Sequence, residues 1–212
     1  MPALTRRGAM TALGSAILAV PLTHRAALAQ HDDTSREMIL NDPAVPVAGN
    51  PRGDVTIVAF LDYNCPYCKK AVPDLDRIVK EDGKIRLVYK DWPVIRPTSI
   101  DGATMALAAK YQGKYVVAHH ALMGIPGAGV PREKMRQGLQ AAGIDMARLD
   151  ADMQAKSTEI YAIIKRNMAQ ADAIGFSGTP AYLVGPFQTS VLDYQGFRQV
   201  VADARKRQAQ GQ

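Results

Sequence analysis

The chain has 212 residues, of which 47% are hydrophobic and 22% are charged, so it is long enough for one domain with a sizeable core. Its net charge of +6 falls to +3 once the first 29 residues, which hold three arginines and no acid, are set aside. That surplus is too small to indicate nucleic-acid binding, and the chain has no glycine-rich phosphate loop and no sequence repeat.

The first 29 residues have the pattern of an export signal. Arg6 and Arg7 form a positively charged start, residues 9–22 are apolar or small, and residues 27–29 (Ala-Leu-Ala) supply a cleavage pattern. The apolar stretch is short for a membrane-spanning helix, and an uncleaved amphipathic arm is the alternative. We therefore expect a periplasmic protein that is soluble after the signal is removed.

The route of export is less sharply specified. Residues 5–10 (TRRGAM) resemble a twin-arginine signal, although Ala9 replaces the usual phenylalanine. The modest hydrophobicity and Arg25 near the cleavage site also suit that route. We place the twin-arginine route slightly ahead of the general secretory route.

The first half of the mature chain predicts a strand, a helix and a second strand. Residues 30–50 are polar and proline-containing and predict an extended lead-in to a domain over residues 51–208. The run Val55–Leu61 is β-branched and apolar throughout, as in a buried central strand. A helix follows from Cys65 to about Asp82, and a second strand covers Ile85–Tyr89.

The second half predicts a helical insertion and then a return to the sheet. Residues 99–173 have helical periodicity and predict about four helices, separated at Gly113, residues 124–131 and Gly143. Further elements are expected after the insertion: a strand at Ala181–Val184, a strand at Thr189–Leu192 and a helix through Phe197–Ala204. This order predicts an α/β sheet that is interrupted by helices.

The two cysteines are the only ones in the chain, and they are spaced Cys-x-x-Cys. Such a pair closes almost no loop, so a structural disulfide is a poor interpretation, and redox or metal chemistry remains. At a helix N-terminus the partial positive charge stabilises a thiolate, which favours Cys65 as an exposed nucleophile and Cys68 as a buried resolving thiol. Pro66, in the first helical turn, and Tyr67 shape the turn between them.

Three segments carry a family resemblance: residues 60–70 (FLDYNCPYCKK), 88–93 (VYKDWP) and 178–182 (GTPAY). Together they resemble the DsbA family of exported thioredoxin-like proteins, and within it the branch named for suppression of copper sensitivity. The resemblance covers about residues 40–207. It implies a thioredoxin-like fold with a helical insertion, and a thiol:disulfide oxidoreductase that uses Cys65 and Cys68.

The resemblance also implies a second part of the site and a set of partners. Thr179 and Pro180 would form a substrate-facing loop with a cis peptide bond, whereas the same residues considered alone predict only a turn. The expected partners are exported protein thiols and disulfides and a membrane redox partner that resets the cysteines, without nucleic acid or a cofactor. About twenty residues precede the sheet after cleavage, which favours a monomer and hence an oxidase; isomerase and reductase stay open.

One position departs from the family pattern. Many relatives carry a buried acid six residues before the first cysteine, where it can transfer a proton to the resolving thiol, and this chain has Ala59 there. Asp62 is the nearest acid in sequence, and we expect it in a solvated loop.

The alternative class is a metal-binding module. Cys65 and Cys68 could hold Cu(I) as two thiolates. His119 and His120 are the one obvious additional donor pair, but neighbours on a helix point about 100° apart and rarely serve one ion. We therefore assign no metal ligand.

Overall fold

The protein was analysed as a computed structural model, which describes Met1 and residues 33–211. The predicted export signal, its cleavage site and the first residues of the predicted lead-in lie outside the described residues. Within residues 33–211, no helix combines the length and apolar character that a membrane crossing requires.

A five-stranded mixed sheet forms the centre of the fold, with strand order β1-β3-β2-β4-β5. The strands are β1 (Val47–Gly49), β2 (Val55–Leu61), β3 (Ile85–Asp91), β4 (Ala181–Val184) and β5 (Phe187–Thr189). Strand β2 lies in the middle, parallel to β3 and antiparallel to β4. The predicted buried central strand is confirmed, because six of its seven residues are buried.

Helices cover both faces of the sheet. The helices outside the insertion are α1 (Arg36–Asn41), α2 (Pro66–Asp82) and α8 (Tyr194–Ala209). Phe60 of β2 packs against Phe176, which follows the last insertion helix, whereas Tyr182 of β4 packs against Phe197 of α8. Since Tyr182 pairs with Ala59, the residue before Phe60, these contacts lie on opposite faces. Helix α2 packs beside α8.

The insertion between β3 and β4 holds five α-helices, where the sequence predicts about four. They are α3 (Pro97–Ala109), α4 (Tyr115–Met123), α5 (Arg132–Ala141), α6 (Met146–Ala155) and α7 (Ser157–Ile174), with a 3-10 turn at Lys110–Gln112. The extra boundary falls at Lys156, whose ψ of 13° ends α6. Neither glycine nor proline marks this boundary, so the sequence predicts one continuous helix where the structure has two.

The prediction of an extended lead-in over residues 30–50 is wrong for part of its length. Helix α1 forms because the Ser35 hydroxyl accepts a hydrogen bond from the Met38 N–H at 3.2 Å, and Glu37 lies in its first turn. Strand β1 then pairs antiparallel with β3, Val47 opposite Val88.

The last strand is also displaced from its predicted position. The sequence predicts Thr189–Leu192, whereas β5 is Phe187–Thr189. A two-residue turn at Gly185 and Pro186 brings Phe187 directly opposite Val184, so pairing starts earlier. Residues 190–193 lead into α8 instead, where the Asp193 carboxylate accepts from the Gly196 N–H at 2.8 Å.

The end of β3 buries two charged residues on opposite faces. The Lys90 ammonium donates to the Met38 carbonyl and lies 3.9 Å from the Asp42 carboxylate, which Arg166 of α7 also contacts at 2.7 Å. Burial lowers the pKa of Lys90 to about 8. This cluster fastens α1 and α7 to the sheet.

Asp91, on the opposite face, joins a buried polar cluster under the loop that follows β2. The Tyr115 hydroxyl donates to its carboxylate at 2.9 Å, and the Tyr63 hydroxyl lies 3.4 Å from that of Tyr115 and 3.1 Å from the His119 Nδ1. Burial raises the pKa of Asp91 to about 7 and lowers that of His119 to about 3. Near neutral pH the cluster therefore holds an uncharged imidazole and a carboxyl group that is close to its titration point.

Asp91 makes the stability of the protein depend on pH. An aspartate whose pKa is raised in the folded state contributes stability below its ordinary pKa of 3.8, and this is lost as the pH rises through about 7. We expect the free energy of unfolding of the wild type to fall relative to Asp91→Asn over this window, by at most about 1.4 kcal/mol per pH unit. Urea unfolding at a series of pH values measures this.

Asp150→Asn is the control, because Asp150 is an exposed acid paired with Arg136, which lowers its pKa. Because this pKa lies below 3.8, the removal of Asp150 leaves the pH dependence between pH 3.8 and about 7 unchanged. Parallel curves for wild type and Asp91→Asn would show that Asp91 does not titrate in this range.

Candidate active site

The first turn of α2 is built around the Cys65 sulfur. Cys65 has extended backbone angles and occupies the N-cap position, where its Sγ accepts a hydrogen bond from the Cys68 N–H at 3.4 Å. Pro66 follows at the first helical position, where its missing N–H costs no hydrogen bond. The predicted helix start is confirmed. It places the nucleophilic atom of a cysteine at the positive end of a 17-residue helix.

The two thiols have opposite acidities. A hydrogen bond from the Cys68 thiol is the largest contribution to lowering the pKa of Cys65 from 9.0 to about 6, assisted by the Thr179 side chain and the Cys68 and Tyr67 N–H groups. Burial raises the pKa of Cys68 well above its ordinary range. At neutral pH the arrangement can therefore hold a thiolate on Cys65 and a protonated thiol on Cys68, which are the forms needed to attack a disulfide and then resolve it.

The loop before β4 covers the Cys65 sulfur. The Cys65 thiol donates to the Thr179 carbonyl oxygen at 3.2 Å, and the Thr179–Pro180 peptide bond is cis, as the family resemblance predicts. Cys65 is consequently only 2% exposed, so the expectation of an exposed nucleophile is wrong. Pro66 and Tyr67 beside it are exposed, Tyr67 at 64%.

Asp62 is buried, so its prediction as a solvated loop residue is also wrong. It is 1% exposed. One carboxylate oxygen accepts from the Asn64 N–H at 2.7 Å, and the other accepts from the Val94 and Ile95 N–H groups at 2.8 and 2.9 Å. This carboxylate therefore holds the loop after β3 against the loop that carries Cys65.

Two further residues, which the sequence analysis did not select, attach the helical insertion to the site. The buried Asn64 side chain donates to the Thr98 hydroxyl at 3.0 Å and accepts from the Val130 N–H at 2.7 Å. The Lys69 ammonium donates to the carbonyls of Ile125 and Gly127 at 2.6 and 2.7 Å. The position of Asn64 directly before the first cysteine is the one sequence signal that could have identified it.

The structure does not bring the two adjacent histidines to the cysteines as a donor pair. His119 is buried with its Nδ1 at the Tyr63 hydroxyl, and His120 pairs with Asp76 at 3.0 Å. Across residues 33–211 no group of three or more His, Cys, Asp or Glu side chains is arranged to hold a metal ion.

Comparison with solved structures identifies oxidoreductases of the same fold. A thioredoxin-like oxidoreductase from Silicibacter pomeroyi is 40% identical, with a TM-score of 0.76 over 81% of this chain and 98% of that one. The thiol-disulfide exchange protein alpha-DsbA2 from Wolbachia pipientis is 25% identical, with a TM-score of 0.74 over 82% and 94%. The catalytic domain of Proteus mirabilis ScsC, 22% identical with a TM-score of 0.70 over 79% and 93%, shares the fold.

Among curated proteins the chain matches part of much longer sequences. The Na(+)/H(+) antiporter NhaA 1 of Mycolicibacterium gilvum is 27% identical over 155 residues, which are 69% of this chain and 25% of the antiporter. The chain thus spans about a quarter of the length of these relatives.

A family model described as Thioredoxin matches residues 41–203. This range includes all five strands and the Cys65–Cys68 pair. The fold, the family match and the 40% identical oxidoreductase agree with the family expected from the sequence motifs. The chain belongs to the thioredoxin family, as a DsbA-like thiol:disulfide oxidoreductase.

Proposed function

We propose that Cys65 and Cys68 are the redox-active pair, that Cys65 attacks and that Cys68 resolves. The observation that carries this assignment is the geometry of the first turn of α2, where the Cys65 sulfur is the N-cap and accepts from the Cys68 N–H at 3.4 Å, while Cys68 is completely buried. The pKa values of the two thiols are accordingly displaced in opposite directions. A thiolate at Cys65 attacks a substrate disulfide or is regenerated as a leaving group, and the protonated Cys68 stays unreactive until a mixed disulfide forms next to it.

We propose the oxidase direction, in which the Cys65–Cys68 disulfide is passed to substrate thiols. Whatever stabilises the Cys65 thiolate stabilises the reduced form of the protein, so the disulfide becomes a stronger oxidant. The lowered pKa of Cys65 supports this direction over disulfide isomerisation or reduction.

The surface beside the pair suits an extended, apolar polypeptide. Tyr67, Val94 and Ile95 are exposed at 64%, 42% and 41%. The Asp62 carboxylate accepts from the backbone N–H groups of Val94 and Ile95, so this segment is held against the loop that carries Cys65. Pro66, Tyr67, Thr179 and Pro180 are the proposed substrate-binding residues, since they border the Cys65 sulfur.

The substrates that fit this assignment are exported proteins in the periplasm, and a membrane redox partner would reset the cysteines. The pattern of residues 1–29 supports export by the twin-arginine or general secretory route. The proposal includes a monomeric protein, which sedimentation equilibrium tests.

Removal of each thiol tests the roles. In Cys68→Ala the resolving thiol is absent, so we expect a mixed disulfide with an unfolded, disulfide-containing substrate to accumulate. In Cys65→Ala we expect little or none, because the remaining thiol is protonated and therefore a poor nucleophile. Non-reducing electrophoresis measures both, and equal trapping by the two variants would overturn the assignment.

The acidity of Cys65 gives a pH prediction. The rate of alkylation by iodoacetamide follows the thiolate fraction, so we expect its midpoint at about pH 6. In Cys68→Ala the midpoint moves upward, because the thiol that donates to the Cys65 sulfur is lost. Tyr67→Phe is the control and leaves the midpoint unchanged, since only the Tyr67 N–H contributes. A wild-type midpoint near the ordinary value of 9.0 would contradict the geometry.

The reduction potential tests the direction of exchange. We expect a value above that of thioredoxin, about −270 mV, and below that of DsbA, about −120 mV, because no histidine lies between the cysteines. Tyr67→His adds a charge that stabilises the thiolate and is expected to raise the potential. Equilibration with a series of glutathione ratios measures both. A wild-type value at or below about −270 mV would favour a reductase.

A further inference from the structure

If Cys68 is the resolving thiol, as proposed above, its deprotonation is unfavourable. Cys68 is completely buried, and burial raises its pKa. In either direction of exchange its sulfur carries negative charge, as the attacking thiolate or as the leaving group. A polar group near this sulfur must therefore lower the cost of that charge.

The charged groups near Cys68 are already engaged elsewhere. Lys69 donates to two insertion carbonyls, and the Asp62 carboxylate accepts from three backbone N–H groups. Asp62 contributes its own N–H to the Cys68 sulfur, which lowers the pKa of the thiol in part. On β2 the residue six positions before Cys65 is Ala59, which cannot titrate or donate.

A tyrosine of the neighbouring strand lies beside Ala59. Tyr182 of β4 pairs with Ala59, so both side chains are on the face that α2 covers. Its ring is fixed edge-on against Phe197 at 5.1 Å. Tyr182 is fully buried, and its hydroxyl has no hydrogen-bond partner within residues 33–211.

Tyr182 lies three residues after Thr179, whose carbonyl oxygen accepts from the Cys65 thiol at 3.2 Å. Cys68 and then Cys65 are the titratable groups that act on Tyr182, and burial raises its pKa, so the phenol stays protonated and available as a donor. The Thr179 side chain lowers the pKa of both thiols. Buried hydroxyls of this kind are satisfied by ordered water, which can bridge them to a third polar atom.

We propose that the Tyr182 hydroxyl is the hydrogen-bond donor that stabilises the Cys68 sulfur while it is negatively charged, directly or through a water shared with Thr179. It thereby takes the place of a titrating acid on β2. Because a donor of this kind need not lose its own proton, the high pKa of a buried phenol does not impede it.

The balanced step shows where the donor acts. Cys68 loses its proton to solvent, and its thiolate attacks the Cys65 sulfur of the mixed disulfide. The Cys65–Cys68 bond forms, the bond between Cys65 and the substrate sulfur breaks, and the substrate leaves as a thiolate that takes up a proton. In the oxidase direction the substrate thiolate attacks Cys65 instead, and Cys68 leaves as the thiolate that Tyr182 stabilises.

A single reaction with a chromogenic aryl disulfide (Ellman's reagent) measures the rate of attack by Cys65 and the rate of resolution by Cys68 separately. Attack by Cys65 releases the first aryl thiolate, and resolution by Cys68 releases the second, so stopped-flow absorbance shows two phases. In Tyr182→Phe we expect the first phase and its pH midpoint to be unchanged. The second phase becomes slower by about tenfold or more near neutral pH, because a hydrogen bond to a charged group is lost. The pH midpoint of the second phase rises for the same reason.

Tyr89→Phe is the matched control. Tyr89 pairs with Ala59 from the opposite side, is equally buried in the sheet, and is influenced by Asp76 and Asp91 instead of the cysteines. We expect both of its phases to equal those of the wild type. A wild-type second phase in Tyr182→Phe, or the same slowing in Tyr89→Phe, would overturn the proposal. If the wild type itself lacks the two phases, the proposed function has failed.

Discussion

At the start of α2 the Cys65 sulfur occupies the position where most helices present a serine, threonine or aspartate oxygen. The contact that begins the helix is therefore the same contact that stabilises a thiolate. Cys68 lies one turn further in, so its thiol and its N–H both point to that sulfur. One local arrangement accordingly makes Cys65 acidic and leaves the buried Cys68 with its proton.

The loop in front of α2 depends on polar side chains that are buried and satisfied. The Asp62 carboxylate accepts from backbone N–H groups of the segment after β3. The Asn64 side chain accepts from the Val130 N–H, and the Lys69 ammonium donates to the Ile125 carbonyl of the same loop. Each is costly to bury and becomes favourable when all its hydrogen bonds are made. The helical insertion is thus attached to the cysteine loop through residues close to Cys65 in the sequence.

The sheet beneath the pair has aromatic side chains where a titrating acid would otherwise be placed. Ala59 lies between Tyr89 and Tyr182 on the flanking strands, and all three are buried. A carboxyl group at position 59 would need a partner or would stay neutral, because a buried charge without one is strongly destabilising. The two tyrosines fill this layer with apolar rings and place their hydroxyls in different electrostatic surroundings.

The elements whose cause is local could be predicted from the sequence. The apolar run at Val55–Leu61 required a buried strand, and Cys65 followed by Pro66 required a helix start, because neighbouring residues decide both. The cysteine pair was visible for the same reason. Thr179–Pro180, 114 residues beyond Cys65, was identified by resemblance to a family and by no property of its own.

Which polar groups are buried, and which partners they contact, depends on how distant segments pack together. Asp62 and Asn64 have ordinary loop composition, and their burial follows from N–H groups and hydroxyls that distant segments supply. The alternation of β4 predicts which residues share a face, but the position of Tyr182 beside Ala59 depends on the pairing of β4 with β2. Sequence patterns report the preferences of neighbouring residues, whereas the electrostatic surroundings of a buried group depend on strands and loops that meet only in the folded chain.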